Sequence, residues 1–543
     1  MTNPRAHTRR PLRALAAGEQ GFTLIMALGV MFVAALLMIA AFKAATADVR
    51  LSHADATQKQ AYYAALAGIQ EYEYHLQSNP NYWETCTAPT NTVPEELKES
   101  EKHETYEHYE IKLLPASTAP AGTKECSTSN PFGTMIQSKG SAANTFRIES
   151  IGTWGKPGQS DYEQRKLVAT FRVVGFLNFI YFTEFEVEDP EIMEPQGSAE
   201  CGHLKSEREK LGVKCNVIVF TSGDSIEGPM HTDDAIDLCG KASFGRPSHN
   251  PADVVELNGG VYSTCGGSES EATFNTANKK YSTGPDLLPP ESDSSLATYV
   301  KEGGYEFTGV THIELLGSSN QMVVKNAKGE TETLSWPKNG LVYVKGSEEN
   351  ACNYRYEPNE SDNAYEKTKS EEAQETNCGN VYVSGTYSSS LTVGAEENLI
   401  INGNLYPTSV EGSLGSAPSG TATLGLIASN NVRIYHPLTA QNCTSSAKNE
   451  KGSLSSPWIY AAILSTNHSF VVDNYNCGEE LGKLHIYGAI AQRFRGIVGT
   501  TGGTGYIKDY KYDERLAVDE PPYFLNPINA GWEVARETAP EAG

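Results

Sequence analysis

Basic residues are scarce in this sequence: 43 lysines and arginines stand against 67 aspartates and glutamates over 543 residues, a formal net charge of −24. A surface of that sign repels phosphate backbones and anionic headgroups, so no nucleic-acid partner is expected for the main body. No CxxC pair occurs and no histidine stands at zinc-finger spacing, which argues against structural zinc. The chain also lacks a GxSxG elbow, an HExxH helix, a P-loop and a complete calcium loop, so no familiar catalytic or phosphate-binding motif is present and no cofactor is expected. The Gly-rich run Thr500-Thr501-Gly502-Gly503-Thr504-Gly505 is followed by neither Lys-Ser/Thr nor a helical pattern, and reads as a turn.

What is present is equally directed. Ten cysteines, an even number, fall into neighbouring pairs along the chain: Cys86 and Cys126, Cys201 and Cys215, Cys239 and Cys265, Cys352 and Cys378, Cys443 and Cys477. Five sequential loop-closing disulfides in an oxidising, extracytoplasmic compartment fit this spacing; buried free thiols are the alternative. Charge is absent for 21 residues from Phe22 to Phe42, which as a helix would span about 31 Å, the thickness of a hydrocarbon core. A membrane span is expected there. A secretory signal cut near Ala45-Thr46-Ala47 is the competing reading, but its apolar region would be unusually long.

The polar side of that run decides between them. Arg5, Arg9, Arg10 and Arg13 precede Gly18-Glu19-Gln20-Gly21, which abuts Phe22-Thr23-Leu24-Ile25 and the apolar helix. This arrangement resembles the prepilin signature of type IV pilins and type II secretion pseudopilins. In that family a prepilin peptidase cuts after the glycine and the new N-terminal phenylalanine is methylated; the resemblance therefore implies processing between Gly21 and Phe22, with the helix retained. It also implies other pilin subunits and the peptidase as partners. The fifth mature residue, usually glutamate, is Met26 here. A carboxylate in hydrocarbon needs a partner, thought in these filaments to be the neighbouring subunit's terminal amine. Family members without it are minor components that cap or prime the filament, so Met26 points to a tip or minor role, with a lineage-specific substitution as the alternative. Ala61-Tyr62-Tyr63-Ala64-Ala65-Leu66-Ala67-Gly68-Ile69 also resembles a stretch of large minor pilins, with Leu66 at their usual glutamate.

Beyond the span, Ala47, Leu51, Ala54, Gln58, Ala61, Ala65, Gly68, Tyr72 and Leu76 recur at three- and four-residue steps, so the helix is expected to continue until Asn79-Pro80. Its small residues suit packing beneath its own head or beside other helices. Alternating segments at Tyr109–Leu113, Phe146–Ile151 and Lys166–Val174 predict a small β-containing head. After Val174, runs of four or five apolar residues such as 216–220, 341–344, 398–402, 424–428 and 461–464 are separated by turns with Asn and Gly at the corners. That texture predicts a right-handed parallel β-solenoid, with an antiparallel sandwich as alternative. Segments within 176–527, including Phe176–Glu186, Ser222–Asp234, Tyr487–Gln492 and Pro521-Pro522-Tyr523-Phe524, resemble a domain without known activity that follows pilin-type N-termini in bacterial surface proteins.

The expected class is α+β, divided as a leader at 1–21, a membrane-spanning and extended helix at 22–77, a small β head at 78–175, a large mainly-β domain at 176–527 and a C-terminal tail at 528–543. Polar insertions such as 350–375 read as surface loops. The strongest chemical candidate is Gly228-Pro229-Met230-His231-Thr232-Asp233-Asp234, where His231, Asp233 and Asp234 are weak metal candidates and ordinary turn formers are the plainer reading. Asp224, Asp233, Asp234 and Asp237 would form a carboxylate cluster only if the strand phase brings them to one face. The 28 tyrosines, dense at Tyr62, Tyr63, Tyr72 and Tyr74 and again at Tyr506, Tyr510, Tyr512 and Tyr523, read as half-buried strand residues or an interaction surface. The expected function is a minor pilin-like component, anchored in the inner membrane through residues 22–42, that displays a large domain outside for adhesion to an unknown surface ligand, and not an enzyme. The alternative is a membrane-tethered protein that binds or cleaves surface polysaccharide.

Overall fold

The computed structural model describes residues 20–79, 81–89, 108–137, 145–191, 199–265, 272–352, 375–438, 448–500, 502–528 and 531–538. One α-helix runs unbroken from Gln20 to Ser78, 59 residues, or about 88 Å. Alanine-rich turns carry it past the uncharged run, an i,i+4 pair between Lys59 and Asp55 supports it, and Pro80 disfavours helical backbone at Asn79. Its two halves meet different surroundings. From Leu24 to Leu51 the apolar side chains are exposed, Met26 at 62%. From Thr57 onward Ala61, Ala64, Ala65, Ile69, Tyr72 and Leu76 are buried at helical spacing. The expected stripe therefore faces two ways: Ala47 and Leu51 lie open, while Ala61 to Leu76 pack beneath the head.

The head is a four-stranded antiparallel sheet. Strands His108–Leu114, Thr145–Trp154 and Glu163–Val174 pair in chain order. The fourth strand, Gly531–Thr538, pairs with Glu163–Val174. This corrects the expectation of a C-terminal tail from 528: residues 531–538 complete the head, and the large domain is inserted between the head's third and fourth strands. Trp532 enters the head core, edge-on to Phe146 at 4.8 Å, and Phe146 stacks on Phe171 at 5.2 Å. Each such buried ring contributes about 1.5–3 kcal/mol. Close contact with the helix depends on small residues. A Cβ at Gly152 would overlap the Ala61 carbonyl and Ala65 nitrogen, and Ser150 donates its hydroxyl hydrogen to the Ala65 carbonyl at 2.7 Å.

The large domain is mostly β, and its sheets curl around one apolar core. Its core ladders pair in parallel. Along one ladder Val342, Val393, Leu426, Ile463, Ile490, Tyr181, Met230 and Val255 are successive partners, all buried. The antiparallel strand pairs of this domain, among the described residues, are confined to the meander Thr311–Leu316, Gln321–Lys325 and Thr331–Ser335. The order along the ladder is not chain order. Tyr181–Phe185 sits inside the stack, residues 230–257 extend it one way, and the chain then restarts at Tyr305–Thr308 and winds back until 490–494 pairs with 181–185. Residues 283–304 form an outer strap that joins the two halves. Leu287, Leu296 and Val300 bury against Phe182, Ala491, Leu464, Ile427 and Tyr343. The strap is pinned where Tyr343 and Ser429 donate their hydroxyl hydrogens to Asp293.

Asparagines at the corners form an internal column. Asn380 accepts from the Asn398 backbone and side-chain amides, and Asn398 accepts likewise from Asn431. Four of the expected disulfides are present: Cys86–Cys126, Cys201–Cys215, Cys239–Cys265 and Cys352–Cys378. Cys443 lies outside the described residues, as does most of the expected loop at 350–375.

Candidate functional site

His231 lies on the outward column of the core ladder, where parallel register makes Phe182 and Glu256 its neighbours on the adjacent rungs. The side chain is 0% exposed. Nδ1 stands 2.7 Å from Glu256 and Nε2 stands 2.9 Å from Asp233, and the rings of Phe179 and Phe182 flank it at 5.2 and 5.7 Å. Burial raises the Asp233 pKa while the His231 contact lowers it; with both carboxylates ionised they only accept, so both ring nitrogens donate and the ring is an imidazolium. Burial on its own would lower the imidazole pKa, but the hydrogen bonds and charges of Asp233 and Glu256 outweigh it and raise it to about 9. Asp233 is further held by Asn258 at 3.2 Å and by the strap's Leu287 N–H at 3.2 Å.

This is a sealed ion network, with neither imidazole nitrogen available to a metal or a substrate. Asp234 points elsewhere, to Arg208 at 2.8 Å and the backbone N–H of Glu186 and Lys205. Asp237 accepts from the hydroxyl and N–H of Thr264, and Asp224 accepts from Thr221 N–H and faces Lys508 at 3.4 Å. The four aspartates are thus not brought to one face. Nor do His231, Asp233 and Asp234 converge as ligands; no group of three potential metal ligands occurs among the described residues. Gly21, Phe22 and Met26 lie in the first turns of the long helix. Among the tyrosines, Tyr62, Tyr63 and Tyr74 are exposed, whereas Tyr72, Tyr506, Tyr510 and Tyr512 are core residues. The Gly-rich run folds back on itself, Thr500 N–H bonding the Thr504 carbonyl at 2.9 Å.

Several charged pairs had no signal in the sequence because their partners lie on distant segments. Arg495, 1% exposed on its side chain, bonds Glu186 at 2.9 Å and the Ile218 carbonyl at 2.8 Å, with its guanidinium 3.7 Å from the centre of the Phe220 ring. At the seam where 489–494 meets 181–185, a cavity of about 600 Å³ opens. Glu191, Asn430, Asn467, His468, Arg493 and Phe494 are among the residues that line it. His468 Nδ1 is hydrogen-bonded to the buried Asp189, and its side chain is 15% exposed. Arg493 lies 3.2 Å from Glu184, whose pKa burial raises to about 7 against the opposing effect of Arg493. Asn430 donates to Glu397 at 2.8 Å.

Comparison of the chain with protein-family models, with curated proteins and with solved structures found no match. The class defined by the fold is that of a long apolar N-terminal helix followed by a β-rich, disulfide-bonded domain. That helix is long and apolar enough to anchor in a membrane, and the disulfides suit an extracytoplasmic domain.

Proposed function

We propose that this chain is a minor pilin-like component, of tip or priming type, of a type IV pilus or related filament, displaying its large domain outside the membrane for interaction. The observation that carries the reading is the division of labour along one helix. Residues 24–56 leave about 50 Å of helix clear of the head, more than a bilayer needs, while 57–76 pack beneath a four-stranded sheet. A helix that both crosses a membrane and forms the spine of a head is what a filament subunit requires. The basic leader ending at Gly21, the Phe22 start and the absence of a carboxylate at Met26 favour a processed, minor subunit.

In this reading the large domain is a parallel β-solenoid inserted into the head sheet, and its role is non-catalytic. Insertion between two head strands suits display, because both ends of the cargo are tied into the sheet that packs on the anchor. The alternative of a membrane-tethered polysaccharide-cleaving protein loses its candidate residues, since His231 and its carboxylates are sealed; polysaccharide binding keeps support from the seam cavity. Mass spectrometry of the mature protein tests the proposal. A methylated Phe22 that disappears without prepilin peptidase is expected, and a mature start near Asp48 overturns it.

A further inference from the structure

We infer that the seam cavity binds a neutral, polyhydroxylated ligand, the chemistry of an uncharged saccharide unit. This deepens the proposed display function by naming what the large domain meets. The cavity's volume of about 600 Å³ falls inside the roughly 300–1,000 Å³ typical of small-molecule sites and holds a few sugar rings at most, excluding a folded partner.

Charge selects the ligand class. The charged and titratable side chains in the wall already have partners: Arg493 lies against Glu184, His468 Nδ1 is hydrogen-bonded to the buried Asp189, and Glu191 is likewise partnered. An ionic ligand would have to compete with one of those pairs, whereas a hydroxyl needs only a donor and an acceptor side by side. The wall supplies both. Among the described residues the Asn467 side-chain amide has no protein partner and the His468 ring makes no hydrogen bond beyond that of its Nδ1. The Asn430 side-chain oxygen Oδ1 likewise has no partner among the described residues: the side chain donates its NH₂ to Glu397, and it is the backbone carbonyl that accepts from Ser465. Phe494 adds an apolar flank, and its ring is held by Phe185 at 5.1 Å.

Preorganisation supports the same inference. Arg493 and Phe494 stand on a ladder strand, while Asn430, Asn467 and His468 stand at successive corners of the stack. Thr466 and Asn467 N–H groups bond the Ala428 and Ser429 carbonyls of the previous rung. Side chains on such rungs lose little freedom on binding. The site exists only because two halves of the chain meet: Asp189 and His468 are 279 positions apart.

The test is saturation-transfer NMR on the full chain in detergent micelles with cellotriose, isomaltotriose and chitotriose, and with trigalacturonate and spermine as charged probes. At least one neutral trisaccharide is expected to bind, and Asn467→Ala is expected to weaken it about five- to tenfold, the worth of one or two hydrogen bonds. Asn467→Asp, of the same shape, covers the case in which the alanine variant fails to fold. The inference is overturned if no neutral probe shows transfer at about 10 mM, a standard binding free energy near −3 kcal/mol. It is overturned equally if both variants bind as the parent does, or if a charged probe displaces the neutral one. A chain with an unprocessed N-terminus would sink the pilin reading and leave this titration unaffected.

Discussion

His231 and His468 are both imidazoles held by carboxylates on the same parallel stack, and they differ in what the second nitrogen meets. His231 has a carboxylate on each side, two aromatic rings against it and no solvent access. His468 has one carboxylate behind it and a cavity in front. The first arrangement uses every bonding capacity of the ring to join rungs; the second leaves capacity for a ligand. The sequence offered His231 as a weak chemical candidate, with ordinary turn formers as the plainer reading, and carried no signal for His468, whose partner lies on a distant segment.

The largest expected effect tests the sealed cluster. Asp233→Ala leaves the His231 charge half-matched in the core and removes the acceptor for the strap's Leu287, and should cost about 3–5 kcal/mol in urea unfolding. A loss below about 1 kcal/mol would mean that the cluster tolerates water and is no different in kind from the cavity.

Next comes pH. The folded-state pKa of His231 lies near 9, above the ordinary 6.5, so its stabilising contribution is complete below about pH 6.5 and is lost as pH rises through 9. Glu184 acts in the same sense at lower pH: burial raises its pKa to about 7, which favours folding below the ordinary 4.5 and forfeits that contribution as pH climbs through 7. The unfolding temperature should therefore fall between pH 6.5 and 9, with the upper part of that slope shrinking in His231→Gln. An unchanged slope would place the titrating group elsewhere.

A smaller effect is expected on the cavity side. His468→Ala uncovers Asp189 to the cavity, where water can replace the lost bond, so roughly 1–3 kcal/mol is expected from thermal unfolding. The smallest is Asn467→Ala, which should shift stability by less than about 0.5 kcal/mol while removing the saccharide contact, measured by calorimetry beside the NMR titration. If Asn467→Ala destabilised as much as Asp233→Ala, the distinction between sealed and open sites would fail.

Much of the local structure was legible. The uncharged run and the three- and four-residue spacing from Ala61 to Leu76 read directly as helix, and Asn and Gly between short apolar runs read as corners, where the structure places the column Asn380, Asn398 and Asn431. The neighbouring cysteines paired as spacing suggested in the four pairs that are described. Glu256 was not legible as the partner of His231, since a separation of 25 positions carries no signal of which strands will pair. Nor was the fourth head strand, which lies more than 350 residues from its neighbour and looks like an isolated alternating segment.

What the sequence by itself determined is therefore what depends on near neighbours along the chain: the helix and its exposed apolar half, the turns, and the local cysteine pairs. Tertiary structure alone decided that residues 181–185 lie against 490–494, that the strap runs outside the stack, and that the large domain is closed by a return to the head. The reason is the degeneracy of β pairing. A four-residue apolar run satisfies the pleat against any similar run, and only the simultaneous closure of all the rungs, with Arg495 meeting Glu186 and Asp189 meeting His468 across the seam, selects one partner among many.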